Sequence, residues 1–168
     1  MPRPWRLLLS AGFALTLAPA AEHRYTWRTR VTTTTLIEID RGLPNGFHDS
    51  RVRSCNLDFV ARTATFGIDV WVGDAEATTP NGRELYRSAL LVVSGLAFCQ
   101  LDAPDPSYPY QEAMPIRVDL SEADQTVPAI RELPAGVFAV RFYVSGWNSF
   151  IHVAGRHAQL AWSDGQLA

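Results

Sequence analysis

Two segments of the chain alternate apolar and polar residues in a way that only paired strands satisfy. In "RVRSCNLDF", residues 51–59, Cys55, Leu57 and Phe59 share one face. In "TFGIDVWVGD", residues 65–74, Phe66, Ile68, Val70 and Val72 share one face. Side chains on a strand alternate with period two, so folding these segments together about an Ala61–Ala64 turn aligns their apolar sets. The expected rungs are Phe59 with Phe66, Leu57 with Ile68, and Cys55 with Val70. They place Asn56 opposite Asp69 and Arg51 opposite Asp74 on the polar side. A slip of one residue would turn each apolar set outward, which is why face assignment is strongly specified.

The rest of the chain repeats the same theme. "YRSALLVVSGLAFCQLD", residues 86–102, is apolar on both parities, with Leu90, Val92 and Phe98 on one side and Leu91, Val93 and Cys99 on the other. That pattern predicts a central strand covered on both faces. Pro115–Leu120 predicts a short strand. "GVFAVRFYVSGWNSFIHVAG", residues 136–155, predicts a hairpin about Gly146-Trp147-Asn148, with Phe138, Val140, Phe142 and Val144 on one face. "RHAQLAW" predicts a last strand with Ala158, Leu160 and Trp162 in step. "DAEATTPNGREL" reads as a polar loop, and "DAPDPSYPYQEAMP", with four prolines, as another. Ser121–Leu133 holds at most one short helix, broken at Pro128. "TTTTLIEID", residues 32–40, is β-branched and predicts an edge strand or an extended lead-in. The expected fold is all-β: a single antiparallel sheet or open barrel/sandwich of about seven strands, with at most one short helix. The expected organisation is residues 1–20 as a leader, 21–42 as the extended lead-in, and 43–164 as the β domain.

The first residues support two readings. "MPRPWRLLLSAGFALTLAPAAEH" has basic Arg3 and Arg6, an apolar run over Leu7–Leu17, and Ala18-Pro19-Ala20 as a small-residue cleavage site. Those are the parts of a signal peptide and predict export to a periplasmic or secreted location. Alternatively, translation starts at Val31 and the protein is cytoplasmic. The two cysteines take their meaning from this choice. In an oxidising compartment Cys55 and Cys99 are expected to form a disulfide; in the cytosol they are buried thiols.

Charge narrows the partner class. All fifteen basic residues are arginine, and five precede Val31. From Val31 onward ten arginines face sixteen acidic residues, a balance of 10 − 16 = −6 with histidine neutral. An acidic domain without a basic stripe is a poor match to a phosphate backbone, so no nucleic-acid partner is expected. With 47% hydrophobic residues the chain is globular, and no mature membrane span is expected.

Motifs for chemistry are sparse. Phe47-His48-Asp49 follows the turn Pro44-Asn45-Gly46, and on a strand His48 and Asp49 would point to opposite faces rather than form a dyad. His48, His152 and His157 lack H-x-H, H-E-x-x-H or C-x-x-C spacing, so no metal site and no cofactor are expected. Ser94-Gly95 and Ser145-Gly146 lack a nucleophile-elbow context. Aromatic residues are more informative. Trp71 falls on the polar parity beside Asp69, Trp147 sits in a turn, and Tyr108 and Tyr110 sit in the proline-rich loop. Aromatics placed this way suit recognition, or Trp71 packs beneath the Tyr108–Tyr110 loop.

The stretch "LPNGFHDSRVRSCNLDFVARTATFGIDVWVGD", with Pro104–Tyr110 and the later "WNSFIH" of Trp147–His152, resembles a set of small uncharacterised bacterial β-domain proteins. Their shared features are an F-H-D-[AS] turn, a DVWVGD strand and a W-N-[SA]-F-I-H hairpin. The F-H-D opening is also similar to that of immunity-type β domains of bacterial conflict systems. The resemblance implies a compact, non-enzymatic protein that binds a macromolecular partner, and such proteins start near the F-H-D turn without a leader. The expected recognition residues are Phe47, His48, Asp49, Trp71, Asp74, Tyr108, Tyr110, Trp147, Asn148 and His152. An exported module for a small ligand or a carbohydrate is the alternative. A hydrolase using His48 and Asp49 is a third reading, and it requires both to converge with one more polar group on a concave pocket.

Overall fold

The computed structural model describes residues 34–108, 116–123 and 127–163. The leader, the Val31 start and Tyr110 lie outside the described residues, as does the start of the lead-in. The elements run α1 (Leu36–Gly42), β1 (Pro44–Phe47), β2 (Ser50–Asp58), β3 (Thr63–Trp71), α2 (Pro80–Arg83), β4 (Tyr86–Ser94), β5 (Phe98–Leu101), β6 (Ile116–Glu122), α3 (Pro128–Arg131), β7 (Phe138–Val144), β8 (Ser149–Gly155) and β9 (His157–Trp162). The all-β expectation holds. Eight strands form one antiparallel sheet in the order β5-β8-β7-β6-β2-β3-β4-β9.

The ends of that order are not independent strands. β5 prolongs β4 past Gly95, which takes a left-handed φ of 61° that suits glycine. β9 prolongs β8 past Arg156. Ser94 pairs with His157 on one side of this corner, and Phe98 pairs with Ala154 on the other. The Arg156 amide donates to the Ser94 carbonyl at 2.9 Å, and the Ala97 amide to Ala154 at 2.9 Å, so the ladder turns the corner without a gap. Each strand line therefore has a neighbour on both sides, and the sheet rolls up around one interior.

The interior shows this directly. Phe66 on β3 and Phe142 on β7 are three strands apart in the sheet, about 14 Å if it were flat. Their ring centroids are 6.1 Å apart. Phe47 from β1 meets the same Phe142 edge-on at 5.9 Å. One parity of each strand fills the core: Ala64, Phe66, Ile68 and Val70; Ala89, Leu91 and Val93; Val140, Phe142 and Val144; Ala158, Leu160 and Trp162. The last set falls as the sequence pattern predicts.

Several details differ from expectation. The β2–β3 register is Cys55 with Phe66, Asn56 with Thr65 and Leu57 with Ala64, so these rungs sit four residues from those predicted, and Arg51 meets Asp69 rather than Asp74. Asp58 causes this, because its carboxylate accepts the Val60 and Ala61 amides at 2.9 and 2.8 Å and turns the chain early. Arg62 closes the turn with φ 54°. Phe59 is consequently at the tip, 81% exposed, beside Val60 at 97%. The faces survive the shift because four is even. A register slip between Val52 and Ser54 then changes parity, which lets Val52 point inward as well.

Residues 36–42 form a helix rather than an edge strand. Thr35 and Glu38 make a capping box: the Thr35 amide donates to Glu38 Oε2 at 2.7 Å, and the Glu38 amide donates to Thr35 Oγ1. Leu36 is buried, and the helix packs against β1, β7 and β9, so the folded unit begins before residue 43. Among the described residues of this stretch, Thr34, bridged to Ala158, is the one with strand-like pairing. Pro128 starts α3 instead of breaking a helix, since its missing amide costs nothing at the first helical position. The polar loop of residues 74–85 contains the single turn α2, so the described residues hold three helices, two of them one turn long. Leu90 is 47% exposed, so the outer face of β4 is not covered as its apolar sequence suggested.

Candidate functional site

Gly46 takes φ 58° and Asp49 φ 52°, which makes residues 48–49 a turn between β1 and β2 rather than strand. Gly46 has no room for a side chain, because a Cβ there would lie 2.6 Å from Asp40 Oδ1. That carboxylate accepts the Phe47 amide at 2.7 Å and ties α1 to β1. The turn sends Phe47 into the core and His48 outward. Phe47 therefore anchors the site from below and is not on a recognition surface.

Because Asp49 is left-handed, its side chain does not point away from His48 as strand geometry predicts. His48 Nε2 lies 3.5 Å from Asp49 Oδ2. On the other side of the ring, His48 Nδ1 is 2.6 Å from Asp119 Oδ1 on β6. A carboxylate only accepts, so Nδ1–H is the donor. Asp119 Oδ1 also accepts the Asp49 amide at 3.2 Å. The imidazole is thus fixed between two carboxylates, with its side chain still 63% exposed. Trp71 borders it edge-on, with centroids 6.1 Å apart. The cleft in front has a volume of about 440 Å³ and is lined by Asp40, Arg41, Asn45, His48 and Asp119, with Leu43 and Leu120 as its apolar parts. None of its described lining residues is a serine, threonine or cysteine.

Trp71 is held from behind. Its Nε1–H donates to the Arg83 carbonyl at 2.6 Å, and the Asn45 amide group donates to the Gly73 carbonyl at 2.8 Å. The cover over Trp71 is therefore the turn at α2. Asp74 shapes that same turn: its amide donates to Gly82 O, and its carboxylate accepts the Glu76 amide. Asp74 serves as a loop cap rather than a member of the His48 cluster.

The remaining predicted residues gather around the β7–β8 hairpin. Asn148, with φ 46°, donates to Asp105 Oδ2 at 2.9 Å and accepts from the Tyr143 hydroxyl at 3.1 Å. Hydrogen bonds from Ser107 and then Asn148 hold the Asp105 carboxyl below the usual range. The Trp147 carbonyl accepts the Asp105 amide, and its ring packs partly on the core. Tyr108 is exposed and donates its amide to Asp105. His152 is 5% exposed under the start of this loop, where Nε2 donates to Asp102 Oδ2 at 3.2 Å. It is part of the interior of the loop and not of its surface.

The two groups join through residues that the sequence reading did not single out. Asp119 is paired directly with Tyr143 across β6 and β7, and Tyr143 with Phe150 across β7 and β8. The Tyr143 and Phe150 rings meet at a tilt with centroids 5.5 Å apart, and the Arg141 guanidinium lies 4.6 Å over Phe150. A row of polar and aromatic groups thus runs from His48 through Asp119, Tyr143 and Asn148 to Asp105. No protein-family model, curated protein or solved structure matches this chain. Among the described residues no His, Cys, Asp and Glu group of three or more is placed to hold a metal ion. No helix among them is long and apolar enough to cross a membrane.

Proposed function

We propose that this protein is a non-catalytic β domain that binds a protein partner over the row running from His48 to Asp105. The observation that carries the reading is that these exposed groups are already held by bonds to one another: His48 to Asp119, Tyr143 to Asn148, and Asn148 to Asp105. Groups ordered before binding lose little side-chain entropy on association. Asp40 and Asp119 on the cleft, Asp49 beside His48, and the acidic balance of the domain favour a partner that presents arginine or lysine there. The resemblance at the F-H-D turn supports an immunity-type role, in which the partner is a toxin protein.

A second reading keeps one observation of its own. A cleft of about 440 Å³ beside His48 is within the size range of small-ligand sites. The His48–Asp119 pair also has the geometry of an oriented imidazole, but no described nucleophile lines the cleft.

The test is affinity capture from the source cell, comparing the wild-type chain with the His48→Ala/Asp119→Asn double variant. The expected result is a protein retained by the wild type, lost by the variant, and released by raised salt. Equal capture by both chains, or no protein captured by either, overturns the reading. A carbohydrate or metabolite bound by the wild type and lost by the variant supports the second reading instead.

A further inference from the structure

The β2–β3 turn ends in two apolar side chains that its own geometry does not use. Asp58 accepts the Val60 and Ala61 amides at 2.9 and 2.8 Å, and Arg62 closes the turn with φ 54°. The Leu96 amide donates to the Arg62 carbonyl at 2.9 Å, and the Arg62 guanidinium donates to the Leu96 carbonyl through Nε at 3.2 Å and Nη2 at 3.0 Å. The tip is thus built and clamped by Asp58, Arg62 and Leu96. Positions 59 and 60 could carry the small polar residues that turns favour. They carry Phe59, 81% exposed, and Val60, 97% exposed, the two most exposed large apolar side chains among the described residues. The arm below them is polar: Ser54, Cys55 and Asn56 are exposed, and Cys55 is a free thiol at the surface rather than a buried one.

We propose that this tip is a membrane-contact element: Phe59 and Val60 enter the interface of an anionic lipid bilayer, while Arg62 and Arg156 face its headgroups. Arg156 stands at the neighbouring corner. Its amide donates to the Ser94 carbonyl at 2.9 Å, and Ser94 pairs with Thr63 at the foot of the turn. Both arginines are exposed, and among the described residues no carboxylate pairs with either guanidinium. The Asp58 carboxylate beside them is turned back onto the turn's own amides. An apolar point flanked by cations is the combination that a negatively charged bilayer surface attracts, through burial of the first and electrostatics of the second.

Shape and charge favour a bilayer over a protein here. A stable protein interface covers about 800 Å² of each partner. Two side chains standing out from a polar arm offer only a fraction of that. A bilayer needs no shaped pocket and takes apolar groups at the boundary between headgroups and acyl chains. The acidic balance of the domain does not oppose the contact. The His48 cleft lies at the other end of β2, nine residues or about 30 Å away along the strand. Charges that distant are screened at physiological ionic strength, where the Debye length is about 8 Å. The same distance keeps the His48 row clear of the bilayer, so the inference does not depend on what occupies that row.

The full-length protein is sedimented with vesicles of phosphatidylcholine alone, and with vesicles of phosphatidylcholine and phosphatidylglycerol in equal parts. The wild type is expected to sediment with the mixed vesicles, to do so less with phosphatidylcholine, and to bind less tightly as salt is raised. Phe59→Ser/Val60→Ser is expected to lower the partition at least ~10-fold, the least that burial of one such side chain would give. Arg156→Gln is expected to lower it about 5-fold on the mixed vesicles and to leave phosphatidylcholine unaffected. All the chains carry residues 1–33, so the differences between them report the tip. Failure of the wild type to sediment with the mixed vesicles overturns the proposal. So does equal partition of the wild type and the tip variant, or indifference to phosphatidylglycerol. Retention of a protein from a membrane-free extract by the wild type and not by the tip variant, without vesicle binding, assigns the tip to a protein partner and overturns it too. The wild-type comparison between the two kinds of vesicle does not require that either variant folds.

Discussion

The rolled sheet makes a quantitative claim about two rings. Phe66 and Phe142 come from strands that a flat sheet would hold about 14 Å apart, yet their centroids are 6.1 Å apart. Replacing either ring with leucine keeps most of the volume, so each single variant is expected to lose about 1–1.5 kcal/mol. An aromatic pair at this separation, here tilted at 56°, contributes ~0.5–1.5 kcal/mol beyond the area it buries. That share is lost in both single variants and only once in the double. The double variant should therefore be less destabilised than the sum by about 1 kcal/mol. Urea unfolding of the four proteins measures it: with a slope of roughly 1–3 kcal/mol/M, each single loss moves the midpoint by about 0.3–1.5 M. A double variant additive to within ~0.3 kcal/mol means that the rings do not meet. The packing of these two rings across the interior would then be wrong, while the strand pairings could all still be right. Phe47 and Phe142, at 5.9 Å, supply a second cycle that tests the attachment of β1 alone.

The other expectations concern the elements that frame the cleft. Thr35→Ala should cost about 1 kcal/mol by removing the α1 cap. The Thr35 amide and hydroxyl lower the Glu38 carboxyl from its ordinary 4.5. A depressed folded value means that the carboxylate's contribution is complete above 4.5 and disappears as pH falls through the folded value. Urea midpoints of the wild type and the variant should therefore converge on acidification below that point; a constant gap would refute the capping box. At Gly73, an added Cβ would lie 2.1 Å from the Arg83 carbonyl and 2.6 Å from Trp71 Nε1. Gly73→Ala should cost about 1–3 kcal/mol and shift the Trp71 indole N–H resonance. An unchanged midpoint and spectrum would show that the α2 turn is not seated on Trp71.

What could be read from the sequence was decided by parity. The alternation through Phe66–Val70, Val140–Val144 and Ala158–Trp162 is imposed by burial on one side only, so each face was legible without any knowledge of neighbours. The β2–β3 register was not, because it depends on where the chain turns. The Asp58 carboxylate decided that, and its pull on two amides competes with an apolar alignment that looked equally good. The helix at residues 36–42 was hidden by its β-branched composition. The signal for it was local and present: Thr35 three residues before Glu38, followed by buried Leu36. Partners distant in sequence left no trace at all. Nothing in Pro115–Leu120 marks Asp119 as the residue that holds His48, since the two are 71 positions apart. Asp105 did carry a cue, the Asp-Pro-Ser turn at the start of the proline-rich loop.

The site and the closing of the sheet are one structural event. Among the described residues three rungs join β2 to β6: Ser50 with Val118, Arg51 with Arg117, and Val52 with Ile116. One step beyond Ser50–Val118 the same register brings Asp49 opposite Asp119. There the ladder ends, and the Asp119 side chain takes over, accepting the Asp49 amide at 3.2 Å and His48 Nδ1 at 2.6 Å. The left-handed Asp49 is what permits this, by turning the chain away from β6 just as its pairing runs out. A seam of three rungs is the shortest described between neighbouring strand lines, so it is the place where the rolled sheet opens most readily. If it opens, Asp119 leaves with β6 while His48 stays with β1 and β2, and the row toward Tyr143 and Asn148 is cut at its first link. Binding of the proposed partner to this face would therefore require the closed form, and a partner that bridges His48 and Tyr143 would hold the seam shut. Amide exchange reports it: the Ser50, Val52 and Val118 amides should exchange faster than those of Phe66 and Leu91 in the free protein, and slow on binding. Equal protection in the free protein would mean that the seam is no weaker than the rest of the sheet, and that the cleft is held by the fold as a whole.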